Sequence, residues 1–331
     1  MEKITINYVF QRFGKMEKDY TGNTSVLVSV FYFIDWLLAW VLYGASISDY
    51  FAFGFYKMRP NGRNEYITYR RYHKLMRIAN NQKDKDICRS KLQFNQYFSE
   101  FLGREWLDVS VCSQADFRAF ASKHSCIFVK EILGFRGNSV KKYQTNETDV
   151  DALYLQLRAD KNGHYIVEEA IREDASLRDF HPWSVNSIRI VTMFNTTTDK
   201  VIFMNARLRV GNNRNSVDNT HYDGIASDIN VETGIVEAKG YDTYNHLYLK
   251  HPITGKMMLG FQIPKWDECL AFVERAARKL PTVRYVGWDV VLKDDGEFCL
   301  IEANDNADHD SQQMHKRGLW KDYKQILKQL K

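Results

Sequence analysis

The chain has 331 residues, enough for two or three packed units. Apolar residues make up 44% and charged residues 26%, with 5 prolines and 18 glycines, which excludes a disordered, collagen-like or low-complexity chain because there is ample apolar surface to offset chain entropy. Lys and Arg number 46 against 41 Asp and Glu, too small an excess to argue for a nucleic-acid partner. The charge is unevenly placed, however. Lys57 to Arg104 holds 12 Lys/Arg against 4 Asp/Glu, and a basic block beside a near-neutral remainder suits an anionic partner: phosphate, an acidic sugar or a lipid surface.

Cys88, Cys112, Cys126, Cys269 and Cys299 show no C-x-x-C spacing, and their number is odd. A disulfide framework or zinc knuckle is not expected, and a reducing cytosol is. The N-terminal MEKITINYVFQRFGKMEKDY has no compact apolar core followed by a small-residue cleavage site, so it does not read as a signal peptide. Ser25 to Ile47 is apolar enough to cross a bilayer at ~20 residues. Asp35 at its centre would cost roughly 2.5–3.5 kcal/mol there, so a buried or interfacial helix is the expectation.

In chain order, residues 1–104 read as a mainly helical region. SISDYFAFGFY offers Ser48 as a cap, YITYRRYHKLMRIANN puts Ile67, Leu75 and Ile78 on one helical face, and SKLQFNQYFSEFLG is amphipathic with Gly103 as its stop. Residues 105–180 alternate: a short helix from Ser113, a strand Cys126–Lys130, a Gly/Ser loop, a strand re-entered at Val140, the helix DVDALYLQLRAD, and the strand HYIVEEAI. In residues 181–331, SIRIVTMF and KVIFMNARLRV flank the polar tip Asn195–Asp199 as a hairpin, and DINVETGIVEAKGYD resembles another. PKWDECLAFVERAARKL is an amphipathic helix between Pro264 and Pro281. The pattern is α+β, with antiparallel sheets covered by helices.

The strongest chemical signal is GWDVVLKDDGEFCLIEAND. Asp295-Gly296 between apolar runs predicts a two-residue turn. Counting back from it places Asp289 opposite Glu302, with Asn304 two residues on along the same face. Directly opposed carboxylates destabilise a sheet pair, so their presence argues for a hard divalent cation, with magnesium completing its shell from water and phosphate oxygens; carboxylates that face solvent or pair with Arg or Lys are the alternative. Lys130 at a strand end, followed by Gly134, Gly137 and Ser139, could cradle phosphate, although the loop matches neither G-K-[S/T] nor G-x-G-x-x-G. Tyr165-Ile-Val-Glu-Glu169 could present backbone to an adenine edge and a carboxylate to ribose.

A strand lysine, a Gly/Ser loop, a strand ending Glu168-Glu169 and a late D…E-x-N pair resemble, in that order, the ATP-grasp fold. More narrowly, HPWSVNSIRIVT, ARLRVGN…SVDNTHYDGI, VETG, HPITGK, GFQIPKWDE and GWDVVL…IEAND resemble the ATP-grasp family associated with cell-surface polysaccharide biosynthesis, over about Asp49 to Gln312. The resemblance implies two α+β subdomains clasping ATP: a lid over residues 105–180 and a catalytic, metal-binding subdomain over 181–331. Lys130 would contact the phosphates, with Lys91 as a looser candidate, and Gly134, Gly137 and Ser139 would close over them. Glu168, Glu169 and the backbone near Ala170 would meet adenine and ribose. Asp289, Glu302 and Asn304 would hold Mg2+.

Arg189 and Arg209, with Arg207 as a secondary candidate, would stabilise negative charge at the reacting centre. Asp218, Asn219 and Gly224 would shape a substrate loop, in which Asp223 replaces the first of a glycine pair expected there. His181 and His221 are expected to be structural or to touch substrate rather than to bind metal. The implied reaction is ATP-dependent ligation of an acid, such as an acidic sugar, to an amine or amino acid at the cytoplasmic face, with peripheral contact to the membrane or to polysaccharide-assembly proteins. A sugar phosphotransferase and a nucleotide-binding scaffold are the competing readings, and no RNA-binding signature accompanies the basic block.

Overall fold

The computed structural model of the chain describes residues 6–81, 83–133, 140–161, 163–212, 224–242, 246–309, 312–313 and 318–329. The chain divides into two compact units: Met1–Asn80 with Asn195–Thr198 and Asn306–Lys331, and Asn81–Phe194 with Asp199–Asp305.

The first unit is helical: α1 (Ile6–Thr21), α2 (Val26–Tyr43), α3 (Ile47–Ala52), α4 (Pro60–Arg63) and α5 (Tyr69–Ala79), joined by the C-terminal helix Trp320–Gln329. Its core is aromatic, built on Phe13, Trp36, Tyr50, Phe51, Phe53, Phe55 and Tyr66. Ser46, not the expected Ser48, caps α3. A capping box needs a carboxylate three residues on, and Asp49 supplies it. α2 is shorter than the apolar segment, because Gly44 at φ 72° stops it in the left-handed region, where a Cβ would lie 2.3 Å from that of Arg70. Of the expected buried or interfacial helix, the buried alternative fails for most of the surface of α2. Trp36 and Ala39 are buried, but Val26, Leu27, Val30, Phe31, Ile34, Leu38, Val41 and Leu42 are exposed. Asp35 faces the unit's interior, where Arg63 meets both its oxygens at 2.8 Å and the Tyr50 hydroxyl donates at 2.7 Å.

The second unit contains α6 (Lys85–Arg89), α7 (Lys91–Tyr97), β1 (Trp106–Asp108), α8 (Gln114–Lys123), β2 (Cys126–Glu131), β3 (Val140–Gln144), α9 (Val150–Ala159), β4 (Tyr165–Glu169), α10 (Ala175–Arg178), β5 (Ser187–Asn195), β6 (Lys200–Val210), β7 (Ile225–Ile229), β8 (Gly240–Tyr241), β9 (Leu247–Tyr248), α11 (Trp266–Lys279), β10 (Tyr285–Leu292) and β11 (Phe298–Asn304). The antiparallel sheet β1-β4-β2-β3 packs on α8 and α9 through Phe117, Phe120, Leu153 and Leu157. A seven-stranded sheet runs β11-β10-β5-β6-β7-β8-β9. Where the sequence suggested a boundary near residue 104, the units part at Asn80/Asn81. The reason is packing: Phe94, Phe98, Phe101 and Leu102 join Trp266, Cys269, Phe272 and Trp288 in the large core.

That core fixes which residues face the other side of the large sheet. Ile188 and Ile190 on β5, Ala206, Leu208 and Val210 on β6, and Val286, Trp288, Val290 and Leu292 on β10 all enter it. Strand alternation therefore turns Arg189, Arg207, Arg209 and Asp289 to the opposite face. The β10–β11 pairing does join Asp289 to Glu302, but not through a two-residue turn. Lys293 N donates to Glu297 O at 2.9 Å, so the loop is Asp294-Asp295-Gly296, with Gly296 at φ 83°. This alone would shift the register by one. A bulge between Asp289 and Val290, opposite Ile301, shifts it back: Val290 pairs with Leu300, while Asp289 pairs with Glu302. Leu300 and Ala303 can then both face the core while Glu302 and Asn304 face the site.

Phe98 is fully buried and lies edge-on to Trp288 at 5.5 Å between ring centroids. Phe98→Ala is expected to lower stability by about 3–5 kcal/mol, read from the midpoint of urea unfolding at unchanged slope.

Candidate active site

Three neighbouring strands carry the centre of the site in one row: Arg189 on β5 pairs with Asp289 on β10, which pairs with Glu302 on β11. Arg189 grips Asp289 with two nitrogens, Nε on Oδ1 and Nη2 on Oδ2 at 2.8 Å. Arg209 adds Nη1 on Oδ2 at 3.1 Å. Asp289 is 3% exposed. Burial by itself would push its carboxyl up, but the two guanidiniums outweigh burial and hold it well below the usual carboxylate range.

Glu302 is shifted the other way. Partial loss of water raises the carboxyl of this half-exposed side chain, and the negative Asp289 beside it raises it further, against the opposing field of Arg189. Asn304 Nδ2 donates to Glu302 Oε1 at 3.0 Å. Thus two carboxylates and an amide share one face, and their environments push the two acids apart.

Among the described residues, no group of three or more His, Cys, Asp or Glu could hold an ion unaided. Glu302, Asn304 and Asp289, whose oxygens both accept from arginine here, are still donors of the type magnesium takes, since that ion is characteristically held by one or two carboxylates together with water and phosphate oxygens rather than by a complete protein cage.

A second charged cluster lies on the small sheet. Lys130 on β2 donates to Glu168 Oε2 at 2.6 Å. Arg104 meets both oxygens of Glu168, at 2.8 and 3.2 Å, and also donates to the carbonyl of Leu300 on β11 at 2.6 Å. Asn95 on α7 donates to Glu168 Oε1 at 2.9 Å. Burial would raise Glu168, yet Arg104 and Lys130 prevail and keep it well below the usual range. This differs from the expectation that Glu168 would reach adenine or ribose: its carboxylate is 3% exposed and serves to hold Lys130 in place. Glu169 is the more open of the pair, accepting from Glu105 N at 3.1 Å, and Ala170 N donates to Cys126 O at 3.3 Å. Lys91 opens α7; desolvation lowers its ammonium, with Glu302 opposing that shift and Lys130 adding to it. Lys91 therefore shares the electrostatic field of both clusters.

Arg207 lies on the same face as Arg209 but is held elsewhere, with Nε on Asn205 Oδ1 and Nη1 on Tyr241 Oη, both at 3.1 Å. Gly224 directly precedes β7 and is buried. Gly134, Gly137, Ser139, Asp218, Asn219 and His221 lie outside the described residues. His181 is fully buried, with Nδ1 2.7 Å from the Ser184 hydroxyl. Arg104 and Asn95 do not stand out in the sequence as site residues, although Asn95 ends the SKLQFN stretch, because their partner is some seventy residues away along the chain.

The family described as sugar-transfer associated ATP-grasp matches residues 136–328, more than half of the chain. The chain belongs to the sugar-transfer associated ATP-grasp family. No curated protein matches this ATP-grasp chain. Solved structures similar to it include the ATP-grasp ligase PsnB complexed with minimal precursor, at 12% identity over 76% of this chain and 64% of that chain, TM-score 0.46. D-alanyl-alanine synthetase A from Vibrio cholerae O1 biovar eltor str. N16961 is similar at 9% identity over 74% and 64%, TM-score 0.46. The D-alanine-D-alanine ligase from Coxiella burnetii is similar at 9% over 68% and 49%, TM-score 0.40. The ATP-grasp chain thus spans less than two thirds of the length of these structures.

The Glu168 cluster predicts a pH signature. Its folded carboxyl lies below its unfolded value, so the stabilisation is complete above the unfolded pKa of ~4.3 and is lost as pH falls. Glu168→Gln should cost about 3 kcal/mol at neutral pH, and the gap to the parent protein should close in acid, as measured by urea unfolding across pH.

Proposed function

We propose that the chain is an ATP- and magnesium-dependent carboxylate–amine ligase that joins an acidic sugar to an amine or amino acid in cell-surface polysaccharide biosynthesis. The observation that carries this reading is the row Arg189–Asp289–Glu302, with Arg209 closing on Asp289 from the next strand over.

Lys130, fixed by Glu168, supplies a point charge for the α- and β-phosphates, and Lys91 adds a second cation to the same field. Asp289, Glu302 and Asn304 are the oxygen donors for magnesium. When bound, that ion would neutralise phosphate charge and orient the γ-phosphate. A substrate carboxylate oxygen attacks the γ-phosphorus, the bond to the bridging oxygen breaks, and ADP leaves with that electron pair. The amine then attacks the acyl carbon of the acylphosphate. Phosphate departs from the tetrahedral centre and the ammonium proton passes to solvent.

Negative charge grows on phosphoryl oxygens in the first step and on the acyl oxygen in the second. Arg189 and Arg209 are the cations for it, because Asp289 orients both in advance and they need little reorganisation during reaction. Arg207, held by Tyr241 and Asn205, is placed to meet the distal part of a substrate rather than the reacting atoms.

The test is a coupled ADP-release screen of acidic sugars with and without amino acids, using Asp289→Asn as the blank. ADP release that needs both acid and amine is the expected result, with Asp289→Asn lowering it by at least ~10²-fold. Release driven by a neutral sugar hydroxyl without any amine would replace ligation by phosphotransfer. No turnover with any acid, despite nucleotide binding, would leave a scaffold. Arg209→Gln is expected to lower kcat by ~10²–10³-fold in steady-state assays of whichever acid–amine pair is found.

A further inference from the structure

The helical unit carries a surface that the ligase reading does not use. On α2, the positions Val26, Leu27, Val30, Phe31, Ile34, Leu37, Leu38, Val41 and Leu42 recur at helical spacing and cover an arc of about 160°. Every one is exposed, from 42% at Leu37 to 83% at Leu27, and no polar side chain interrupts the arc. Phe10 of α1 widens it. Phe10 is exposed and stacks on Phe33 of α2 at 4.9 Å. Such a patch is larger than the ~300–600 Å² usual for the largest one on a soluble monomer.

The charge beside it is basic. From residue 57 to residue 80 there are seven Lys/Arg and one acidic residue. Arg70, Lys74 and Arg77 form an exposed row on α5. That row starts at the C-terminal end of α2, where Arg70 donates to Trp40 O at 2.7 Å and lies over the Trp40 ring at 5.5 Å.

We propose that this unit docks on an anionic lipid bilayer. α2 lies in the plane of the interface with its apolar arc among the acyl chains, and Arg70, Lys74 and Arg77 meet the headgroups. Two features favour lipid over a second copy of the chain. A two-helix seam is a narrow stripe flanked by charges that set partner and register, whereas this arc is wide, and the charge at its edge, Asp35, is taken up by Arg63 of the same unit. The adjoining basic row also complements an anionic surface. The same unit argues against a spanning α2. Its inner side carries Asp35 paired to Arg63, and α1 and α3, which pack in the same core, carry buried Glu17 and Asp49.

The experiment is flotation of the full chain with vesicles of phosphatidylcholine, alone or mixed with phosphatidylserine. The expected result is a bound fraction about tenfold higher on the mixed vesicles that falls with added salt and is released by alkaline carbonate. Leu27→Asp/Ile34→Asp, at exposed positions, should reduce binding at least ~10-fold, and Lys74→Glu/Arg77→Glu should remove the preference for phosphatidylserine. Unchanged thermal melting and unchanged ADP release with these variants would show that docking alone is lost, so this proposal and the ligase reading can fail separately. Failure to float, together with a dimer that Leu27→Asp/Ile34→Asp dissolves, would assign the surface to a second copy and overturn the proposal. A bound fraction that resists carbonate would overturn it in favour of a spanning helix.

Discussion

Two carboxylates face one another across a pair of hydrogen-bonded strands, a placement that costs stability unless positive charge lies close by. In this protein the charge comes from neighbouring strands. Arg189 lies in register with Asp289, and Arg209 reaches it from one strand further. The rest of the second unit can be understood as support for that arrangement. The apolar residues alternating with Arg189, Arg209 and Asp289 form the core beneath α7 and α11, so the strands cannot rotate without exposing Trp288 or Ile190. The same opposition of charge that makes the row demanding to fold fixes acidic and basic groups side by side, which is the arrangement the proposed phosphate chemistry would use.

Arg104 links this row to the lysine on the small sheet. Its guanidinium is shared between Glu168 on β4 and the carbonyl of Leu300 on β11, two residues before Glu302. A buried ion pair of this kind is no guarantee of stability, since desolvation offsets most of its Coulomb energy. Its effect here is positional. Lys130 is held by a carboxylate that is itself held by a residue touching the carboxylate-bearing hairpin, so the two halves of the charged site are connected through three side chains.

The helical unit obeys a different rule. Its aromatic core is satisfied on one side of α2, and the Asp35–Arg63 pair is satisfied there too. What remains is a continuous apolar arc whose energetics depend on what lies outside the chain. A basic surface on one unit and the proposed phosphate site on the other are also coherent in chemical terms: anionic lipid and anionic substrate would each be drawn by a positive field.

Helices and strands were legible because their signals are local. Ser113 and Asp116 form the capping box that starts α8, and alternating apolar residues mark β5, β6 and β10. The pairing of Asp289 with Glu302 was also legible, because two local departures from a regular hairpin compensate one another. The turn holds three residues rather than two, and a bulge at Ile301 absorbs the difference. Bulges follow from packing on both faces at once, and no pattern in one strand announces them. Arg104 and Asn95 were invisible for a similar reason, since a buried ion pair is chosen by three-dimensional proximity across distant segments. Hydropathy along Ser25–Ile47 established an apolar helix, but it could not say which side would be covered. Periodicity, caps and turn residues thus sufficed to specify the elements and the acids of the hairpin. Which cation each acid would hold, and which apolar face would stay open, depended on how those elements packed, because burial and electrostatic pairing are properties of the assembled chain rather than of any one segment of it.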